Sequence, residues 1–235
     1  MRVPDDWFVG FHEGLAARFW QAAGEAMLER DFAIVEALLP PGSVLDVPCG
    51  DGRLSRRLAE AGHEVTGIDI APGALALAPP GLRLMQGDLR ALPDIGPFDA
   101  VLSWGNSFGY LTPPDTVRAL EGVRRVVRPG GTLVLESGAV AESMLPRLAT
   151  GESEYEFAGI TMRSNRTYRP DESRLEVDSV FTSGGTTEHG RAAYFIHTTG
   201  EVVRMLNAAG FEHVELRGDD GPYELGAPRM IAVAH

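Results

Sequence analysis

The chain has 235 residues, 44% of them hydrophobic, which suffices for one sizeable core and not for two. Its formal net charge of −12 argues against phosphate backbones or anionic lipid surfaces as partners and favours a neutral or basic small molecule. Cys49 is the only cysteine, which excludes an internal disulfide, and no Cys/His set has the spacing of a zinc site.

Two features of the sequence bear on the location of the protein in the cell. The opening residues, "MRVPDDWFVGFHEG", lack the basic start and apolar run of a signal peptide. No run of about eighteen apolar residues occurs, so we expect no membrane span. A cytoplasmic protein without a bound metal is the expectation.

Residues 5–39 are rich in large apolar side chains and predict two helices that end before Pro40 and Pro41. We expect residues 1–40 to form a helical cap that acts as a lid over a ligand. Alternatively, these side chains are core residues packing on a sheet, and both roles can hold together. The side chains are Trp7, Phe8, Phe11, Phe19, Trp20, Met27, Phe32 and Ile34.

A strand–helix–strand unit follows, in which "SVLDVP" and "HEVTGIDI" are short apolar runs typical of buried strands. Between them, "GRLSRRLAEAG" places Leu54, Leu58 and Ala61 on one helical face and ends at Gly62. Three more strands are predicted at "LRLMQGD", "FDAVLSWG" and "GTLVLESG". A helix over "DTVRALEGVRRVVRPGG" stops at Pro129–Gly131. The alternation predicts a parallel sheet with right-handed crossovers.

The pattern changes after residue 150. From 151 to 197 the runs "YEFAGITMRSNRTYRP", "RLEVDSVFTS" and "TTEHGRAAYFIH" read as antiparallel strands joined by turns. Thr198 and Glu201 then form a capping box before a helix, and two last strands form a closing hairpin. We therefore divide a single domain into a cap (1–40), a core (43–150), an antiparallel insert or lid (151–197) and a C-terminal helix and hairpin (198–235).

The turn "DVPCGDG" directly follows the first predicted strand, where glycines at 50 and 52 allow positive φ and a close approach of backbone to a ligand. Asp69 ends the second strand, from which a carboxylate can reach both hydroxyls of a ribose. A nucleoside-like ligand is predicted.

The residues around the turn indicate whether that ligand carries a pyrophosphate. A dinucleotide site needs a third glycine where this chain has Ser55. Asp46 and Asp51 would repel a pyrophosphate but attract a sulfonium and an ammonium. Charge therefore favours S-adenosylmethionine over NAD.

At this point the chain resembles the class I S-adenosylmethionine-dependent methyltransferases, on "VLDVPCGDGRLS", Asp69, Gly87–Leu89, "FDAVLSWGNSFGYL" and "VRPGGTLVLE". These motifs cover residues 43–137. The resemblance implies an α/β, Rossmann-like, mostly parallel seven-stranded sheet flanked by helices, with S-adenosylhomocysteine as product. It places Asp46 and Gly50 near the methionine moiety, Asp69 on the ribose and Asp88 on the adenine amino group. The full set of implied cofactor residues is Asp46, Pro48, Gly50, Gly52, Arg53, Asp69, Ile70, Asp88, Leu89, Ser103, Trp104 and Gly105. Pro48 departs from the family, where Gly or Ala is frequent.

The acceptor residues are predicted from position and chemistry. His12, among the cap aromatics, is the leading candidate base, and a structural histidine is the alternative. Asn106 and Tyr110 follow the fourth strand and are expected to position the acceptor, unless they only shape the loop. Weaker candidates are His189 and His197 as bases, Arg166 and Arg169 as ligands of an acidic acceptor, and Cys49 as a nucleophile.

The predicted reaction is methyl transfer to a nitrogen, oxygen or carbon of a small molecule. The resemblance is nearest to small-molecule enzymes, including amino-sugar N-methyltransferases, and suggests a homodimer through the insert. Nucleic-acid amino methyltransferases carry an N/D-P-P-Y/F motif after the fourth strand, and this chain has "SWGN" there, so we expect no nucleic acid. An NAD-linked oxidoreductase and a non-catalytic S-adenosylmethionine-binding regulator remain the alternatives.

Overall fold

Two β-sheets organise the chain. The computed structural model describes residues 2–148 and 152–235, so Met1 and the predicted boundary at 150 and 151 lie outside the described residues. The strands of the larger sheet are β1 (Ser43–Asp46), β2 (Glu64–Asp69), β3 (Leu84–Gln86), β4 (Phe98–Ser103), β5 (Val127–Ser137), β10 (Val214–Arg217) and β11 (Met230–Ala234). The smaller sheet contains β6 (Glu152–Phe157), β7 (Ile160–Arg169), β8 (Arg174–Ser183) and β9 (Thr186–Phe195).

The larger sheet has seven strands in the order β10-β11-β5-β4-β1-β2-β3. Its strands run parallel except β11, which is antiparallel to both β5 and β10. This confirms the predicted Rossmann-like fold and its closing hairpin. The strand order reverses at β1, whose neighbours are β2 and β4, and ligands of such sheets bind outside the carboxyl ends of the strands at that reversal.

The helices are α1 (Phe8–Phe11), α2 (Gly14–Leu38), α3 (Arg53–Glu60), α4 (Pro72–Leu75), α5 (Pro113–Val126), α6 (Ala141–Met144) and α7 (Thr199–Ala208). The capping box predicted at Thr198 and Glu201 starts α7, as expected. Helix α5 ends at Val126, three residues before the predicted stop at Pro129, because Val127 already pairs with Phe98 as part of β5. No helix among the described residues is long and apolar enough to cross a membrane.

Helices cover both faces of the larger sheet. On one face Leu45 and Val101 pack with α5 and α7. On the other face Val44 and Leu102 pack with α2 and α3. Burial on both faces explains why these strands read as continuous apolar runs in the sequence.

The smaller sheet is the antiparallel insert that the sequence predicts, with four strands in the order β6-β7-β8-β9. It packs on α2 through Phe19, whose ring centroid lies 5.6 Å from that of Phe181 and 5.4 Å from that of Phe157. The insert and the N-terminal helices thus share a core, and together they cover the end of the larger sheet where its parallel strands finish.

Candidate active site

A cavity of about 410 Å³ lies at the carboxyl ends of β1, β2 and β4, beneath α1 and α2. Most of the residues that the sequence predicts for the site line it. They are His12, Asp46, Pro48, Gly50, Arg53, Asp69, Ile70, Asp88, Leu89, Trp104, Gly105, Asn106 and Tyr110. Most of the predicted cofactor residues and all three predicted acceptor residues therefore line the same cavity.

Asp69, at the end of β2, organises the glycine turn. One carboxylate oxygen accepts from the Gly50 amide at 2.7 Å, and the other accepts from the Ala71 amide at 2.8 Å. Gly50 has φ 59, a left-handed conformation that favours glycine. The carboxylate is therefore held at the cavity wall with a fixed orientation, and it retains lone pairs for further donors.

Asp46 ends β1 and is buried. Burial raises its pKa to about 7, although a 2.7 Å hydrogen bond from Ser55 Oγ and the nearby Arg53 oppose the rise. Ser55, which stands where a dinucleotide motif has its third glycine, thus donates a hydrogen bond to the carboxylate of Asp46. Burial also raises the pKa of the neighbouring Cys49 thiol well above its ordinary range, which argues against a nucleophilic role.

Arg53, the first residue of α3, joins the cavity wall to a buried ion network. Its Nη2 donates to Asp31 on α2 at 2.9 Å, and Arg229 Nη1 donates to the other oxygen of Asp31 at 2.8 Å. A Cβ on Gly24 would lie 2.8 Å from Arg53 Nε, so glycine within α2 makes room for this arginine. The buried Nη1 of Arg53 has no hydrogen-bond partner among the described residues.

Asp88 follows β3 and is engaged within its own loop. Arg90 donates to both carboxylate oxygens, with Nε at 3.0 Å from Oδ1 and Nη2 at 2.6 Å from Oδ2. Burial raises the pKa of Asp88, but the hydrogen bonds from Arg90 outweigh burial and lower it overall. The carboxylate is ionised and oriented, and its predicted contact with adenine stays a prediction.

The loop after β4 is held from below by Glu136 of β5. This buried carboxylate accepts from the amides of Gly105 at 3.0 Å and Asn106 at 2.8 Å, and burial raises its pKa. The side-chain oxygen of Asn106 accepts from the amides of Gly138 and Ala139, both at 2.9 Å. Asn106 therefore ties two loops together, which supports the alternative that it shapes the loop.

An aromatic wall faces this loop. Tyr110 lies 4.6 Å from Trp7, 5.4 Å from Tyr194 and 6.0 Å from Phe8, measured between ring centroids. Burial, together with Tyr194, raises the pKa of Tyr110 well above its ordinary value, so its hydroxyl keeps its proton and can only donate or accept a hydrogen bond. The cap aromatics are thus both core residues and cavity wall, as the two interpretations together allowed.

His12 ends α1 and lines the cavity between the aromatic wall and Asp69. Burial lowers its pKa below 6.5, and the charge of Asp69 only partly offsets this effect. The ring of Phe11 packs on it edge-on at 5.2 Å. The imidazole is therefore neutral at pH 7 and able to accept a proton.

Gly52 and Ser103 do not belong to the set of residues that line this cavity. Gly52 has φ 73 and starts α3, where a Cβ would approach Leu84 Cδ1 at 2.9 Å. Ser103 projects from the other face of β4, into a small interior space beside Phe108 and Thr116, because side chains alternate along a strand.

Of the weaker candidates, Cys49 lines the cavity, whereas His189, His197, Arg166 and Arg169 do not belong to its lining. His197 packs against Phe108 at 5.7 Å, and His189 pairs with Val180 across β8 and β9. Arg169 is paired with Glu176 at 3.2 Å. Asp31 and Tyr194 also line the cavity, although no sequence motif predicts them. The one available signal for Asp31 was its helical spacing from Trp20, Gly24 and Met27, which places them on one face of α2.

Three kinds of comparison bear on relatives of the chain. The family model described as Methyltransferase domain matches residues 44–131. Malonyl-[acyl-carrier protein] O-methyltransferase of Pseudescherichia vulneris is 33% identical over 237 residues, covering 94% of the chain and 88% of the relative. Putative methyltransferase YqeM of Bacillus subtilis is 34% identical over 134 residues, and this match spans only 53% of the chain and 54% of the relative. The solved S-adenosylmethionine-dependent methyltransferase of Clostridium acetobutylicum is 16% identical, with a TM-score of 0.74 over 88% of the chain and 90% of that protein, and it has the same fold.

Proposed function

The chain belongs to the class I S-adenosylmethionine-dependent methyltransferases, and from this premise we propose that it methylates a nitrogen or oxygen of a neutral or basic small molecule. One observation carries the proposal. A single cavity is lined by Gly50 and Asp69, by aromatic side chains and by the neutral imidazole of His12.

The residues of the cavity fit S-adenosylmethionine, which is the methyl donor of this family. Asp69 offers oriented carboxylate oxygens for the ribose hydroxyls. The Nη1 of Arg53, which lacks a partner within residues 2–148 and 152–235, suits the carboxylate of the methionine moiety. Asp46 suits its ammonium. When bound, the cofactor supplies an electrophilic methyl group on a sulfonium.

The composition of the walls supports a neutral or basic acceptor with an apolar body. Trp20 and Met27 are each 40% exposed, and both line the cavity on one face of α2. Among the described lining residues, Arg53 is the one arginine or lysine, and Asp31 already pairs with it. The name of the relative from Pseudescherichia vulneris contains a malonyl group. An acceptor carboxylate of that kind would need a further cation in this cavity.

The protein contributes to the reaction by positioning the two reactants and by excluding water from the cavity. Holding two reactants in line can provide an effective molarity of about 10⁵ M or more. Phe8 and Tyr110 exclude water from the acceptor end, which strengthens electrostatic interactions inside the cavity. His12 accepts the proton of the acceptor, directly or through a water.

We expect the His12→Asn variant to lose at least about 100-fold in kcat, as for removal of a general base. In the wild type the rate should fall as pH drops through the pKa of His12, which burial places below 6.5, because protonation removes the basic form. The variant should lack this acidic limb. Initial rates from pH 5 to 9 at saturating cofactor measure both effects.

His213→Asn is the matched control, because His213 is exposed beside β10. Its pH–rate profile should superimpose on that of the wild type. An acidic limb that persists unchanged in His12→Asn would remove His12 from the reaction.

The experiment that tests the function is a two-stage screen. Isothermal titration with S-adenosylmethionine, S-adenosylhomocysteine and NAD comes first, and we expect micromolar affinity for the first two alone. Amines, alcohols and carboxylic acids with apolar bodies are then incubated with methyl-labelled S-adenosylmethionine, and products are read by mass spectrometry. Turnover of amines or alcohols supports the proposal, whereas turnover of acids alone contradicts it. Cofactor binding with no product from any acceptor would favour a non-catalytic regulator.

The remaining parts of the proposal concern partners and place. We propose a cytoplasmic enzyme that does not act on nucleic acid, since a net charge of −12 repels phosphate backbones. We also propose a homodimer through the insert, whose outermost strand β6 exposes 45% of Tyr155. Light scattering of the purified protein measures its mass and tests the dimer.

A further inference from the structure

The segment from residue 2 to residue 12, here called the N-terminal strap, connects the antiparallel sheet to the cavity. At its beginning, Val3 is fully buried. In its middle, Trp7 packs on Tyr110 and Tyr194. At its end, His12 lines the cavity, as do Phe8 and Phe11. The strap therefore brings a large part of the acceptor wall into place.

Two side chains of β8 hold the backbone of Val3, and we call Arg174 and Glu176 the Val3 clamp. Glu176 Oε1 accepts from the Val3 amide at 3.1 Å, and Arg174 Nη2 donates to the Val3 carbonyl at 2.5 Å. Arg169 in turn donates to the second oxygen of Glu176 at 3.2 Å. Both hydrogen-bonding groups of one strap residue are thus satisfied by the insert.

The burial of Arg174 is unusual for its charge. Its side chain is 0% exposed, its guanidinium lies over the ring of Phe195 at 5.3 Å, and its ion-pair partner Asp5 is half exposed at 3.3 Å. Its Nε and Nη1 find no hydrogen-bond partner in the described part of the chain. An apolar side chain of similar size would avoid this desolvation penalty. The guanidinium therefore does more than fill space, and its role is the hydrogen bond that it donates to the Val3 carbonyl.

The chain just after the strap is held by the same sheet. Glu188 of β9 accepts from the Leu15 amide, at the start of α2, at 2.7 Å. A carboxylate at this position also suits the positive end of the 25-residue helix. Insert side chains thus hold Val3 near the beginning of the strap and Leu15 just after its end, and Phe8, Phe11 and His12 lie between these two contacts.

We propose that Arg174 and Glu176 are positioning residues, which hold the strap in place on the insert and thereby set His12 and Phe8 against the acceptor. Neither residue belongs to the set that lines the cavity. The proposal rests on the proposed function only for the identity of the acceptor end. The position of the strap itself can be measured in the protein without turnover.

The test compares Arg174→Met, Arg174→Lys and Arg191→Met. Methionine keeps the apolar length and removes the donor to Val3, while lysine keeps a charge and one donor. Arg191→Met is the control, because Arg191 pairs with Asp178 on the same sheet at 2.5 Å and is 37% exposed. Hydrogen exchange of residues 3–16 reports the strap, and an NMR titration of the His12 ring reports its surroundings.

In Arg174→Met we expect amides of residues 3–16 to exchange at least about tenfold faster, with the rest of the sheet unchanged. The pKa of His12 should rise toward 6.5, because loosening the strap rehydrates the ring beside Asp69, the charged group acting on it. With an acceptor from the screen, its KM should rise at least about fivefold, while the Kd of S-adenosylhomocysteine stays within about threefold. Arg174→Lys should recover part of each effect.

Several outcomes overturn the proposal. Unchanged exchange and an unchanged His12 titration in Arg174→Met would show that the clamp does not position the strap, and a uniform increase across the sheet would show a purely structural role. If Arg174→Met does not fold, Glu176→Leu takes its place, since it removes the acceptor of the Val3 amide, and the same exchange and His12 measurements apply. Failure of the wild type to bind the cofactor would contradict the proposed function, whereas the exchange and NMR results would still test the positioning of the strap.

Discussion

Replacing Asp69 with alanine should weaken binding of S-adenosylhomocysteine by about 10- to 150-fold, equivalent to about 1.5–3 kcal/mol for hydrogen bonds to a charged group. Two losses combine. The ribose hydroxyls lose their acceptor, and the amides of Gly50 and Ala71 lose the carboxylate that holds them at 2.7 and 2.8 Å. Isothermal titration of the variant measures the affinity directly.

The two losses can be separated. Asp69→Asn keeps one acceptor oxygen for an amide of the turn, so we expect an intermediate affinity. Asp94→Ala, in the exposed loop before β4, is the control and should bind as the wild type does. An affinity loss below about 0.5 kcal/mol in Asp69→Ala would contradict the assignment of this carboxylate to the cofactor.

Asp31→Ala should lower the free energy of unfolding by about 3–5 kcal/mol, the usual result of removing one partner from a buried ion pair. Asp31 is buried between Arg53 at 2.9 Å and Arg229 at 2.8 Å, and these arginines are themselves mostly buried. Without the carboxylate, the mostly buried Arg53 loses the oxygen that it contacts at 2.9 Å, and Arg229 is left with Asp219 at 2.6 Å. Urea denaturation followed by circular dichroism measures the change, with equal m-values as the check on two-state behaviour.

The same substitution should also weaken cofactor binding, because Asp31 orients Arg53, which lines the cavity and whose buried Nη1 has no hydrogen-bond partner among the described residues. Asp31→Asn, which keeps one acceptor, should lose less stability than Asp31→Ala. Glu29→Ala is the matched control on α2, since Glu29 pairs with Arg57 at the surface, and it should leave the unfolding curve unchanged. A loss in Asp31→Ala below about 1 kcal/mol would show that the network does not stabilise the fold.

The cofactor side of the site could be read from the sequence because its signals are local. Gly50 lies in the turn after β1 and Asp69 ends β2, and the carboxyl ends of adjacent parallel strands meet at one edge of the sheet. The apolar runs of the strands, the capping box at Thr198 and the turn residues of the insert are local signals as well. Each depends on residues a few positions apart, so pattern and chemistry were enough to place them.

Contacts between distant parts of the chain were decided by tertiary structure. Asp31 meets Arg229 from 198 positions away, and Val3 meets Arg174 from 171 positions away, and no periodicity encodes such pairs. Asn106 has the residue type and position of an acceptor ligand, yet its oxygen binds the loop after β5.

Sequence by itself therefore determined the fold class and the edge of the larger sheet at which the cavity lies. The ion network, the clamp on the strap and the aromatic wall with Tyr194 were decided only when helices, sheet and insert packed together. The physical reason is that hydrogen bonds and ion pairs act over a few ångströms in space, whatever the separation of their residues along the chain.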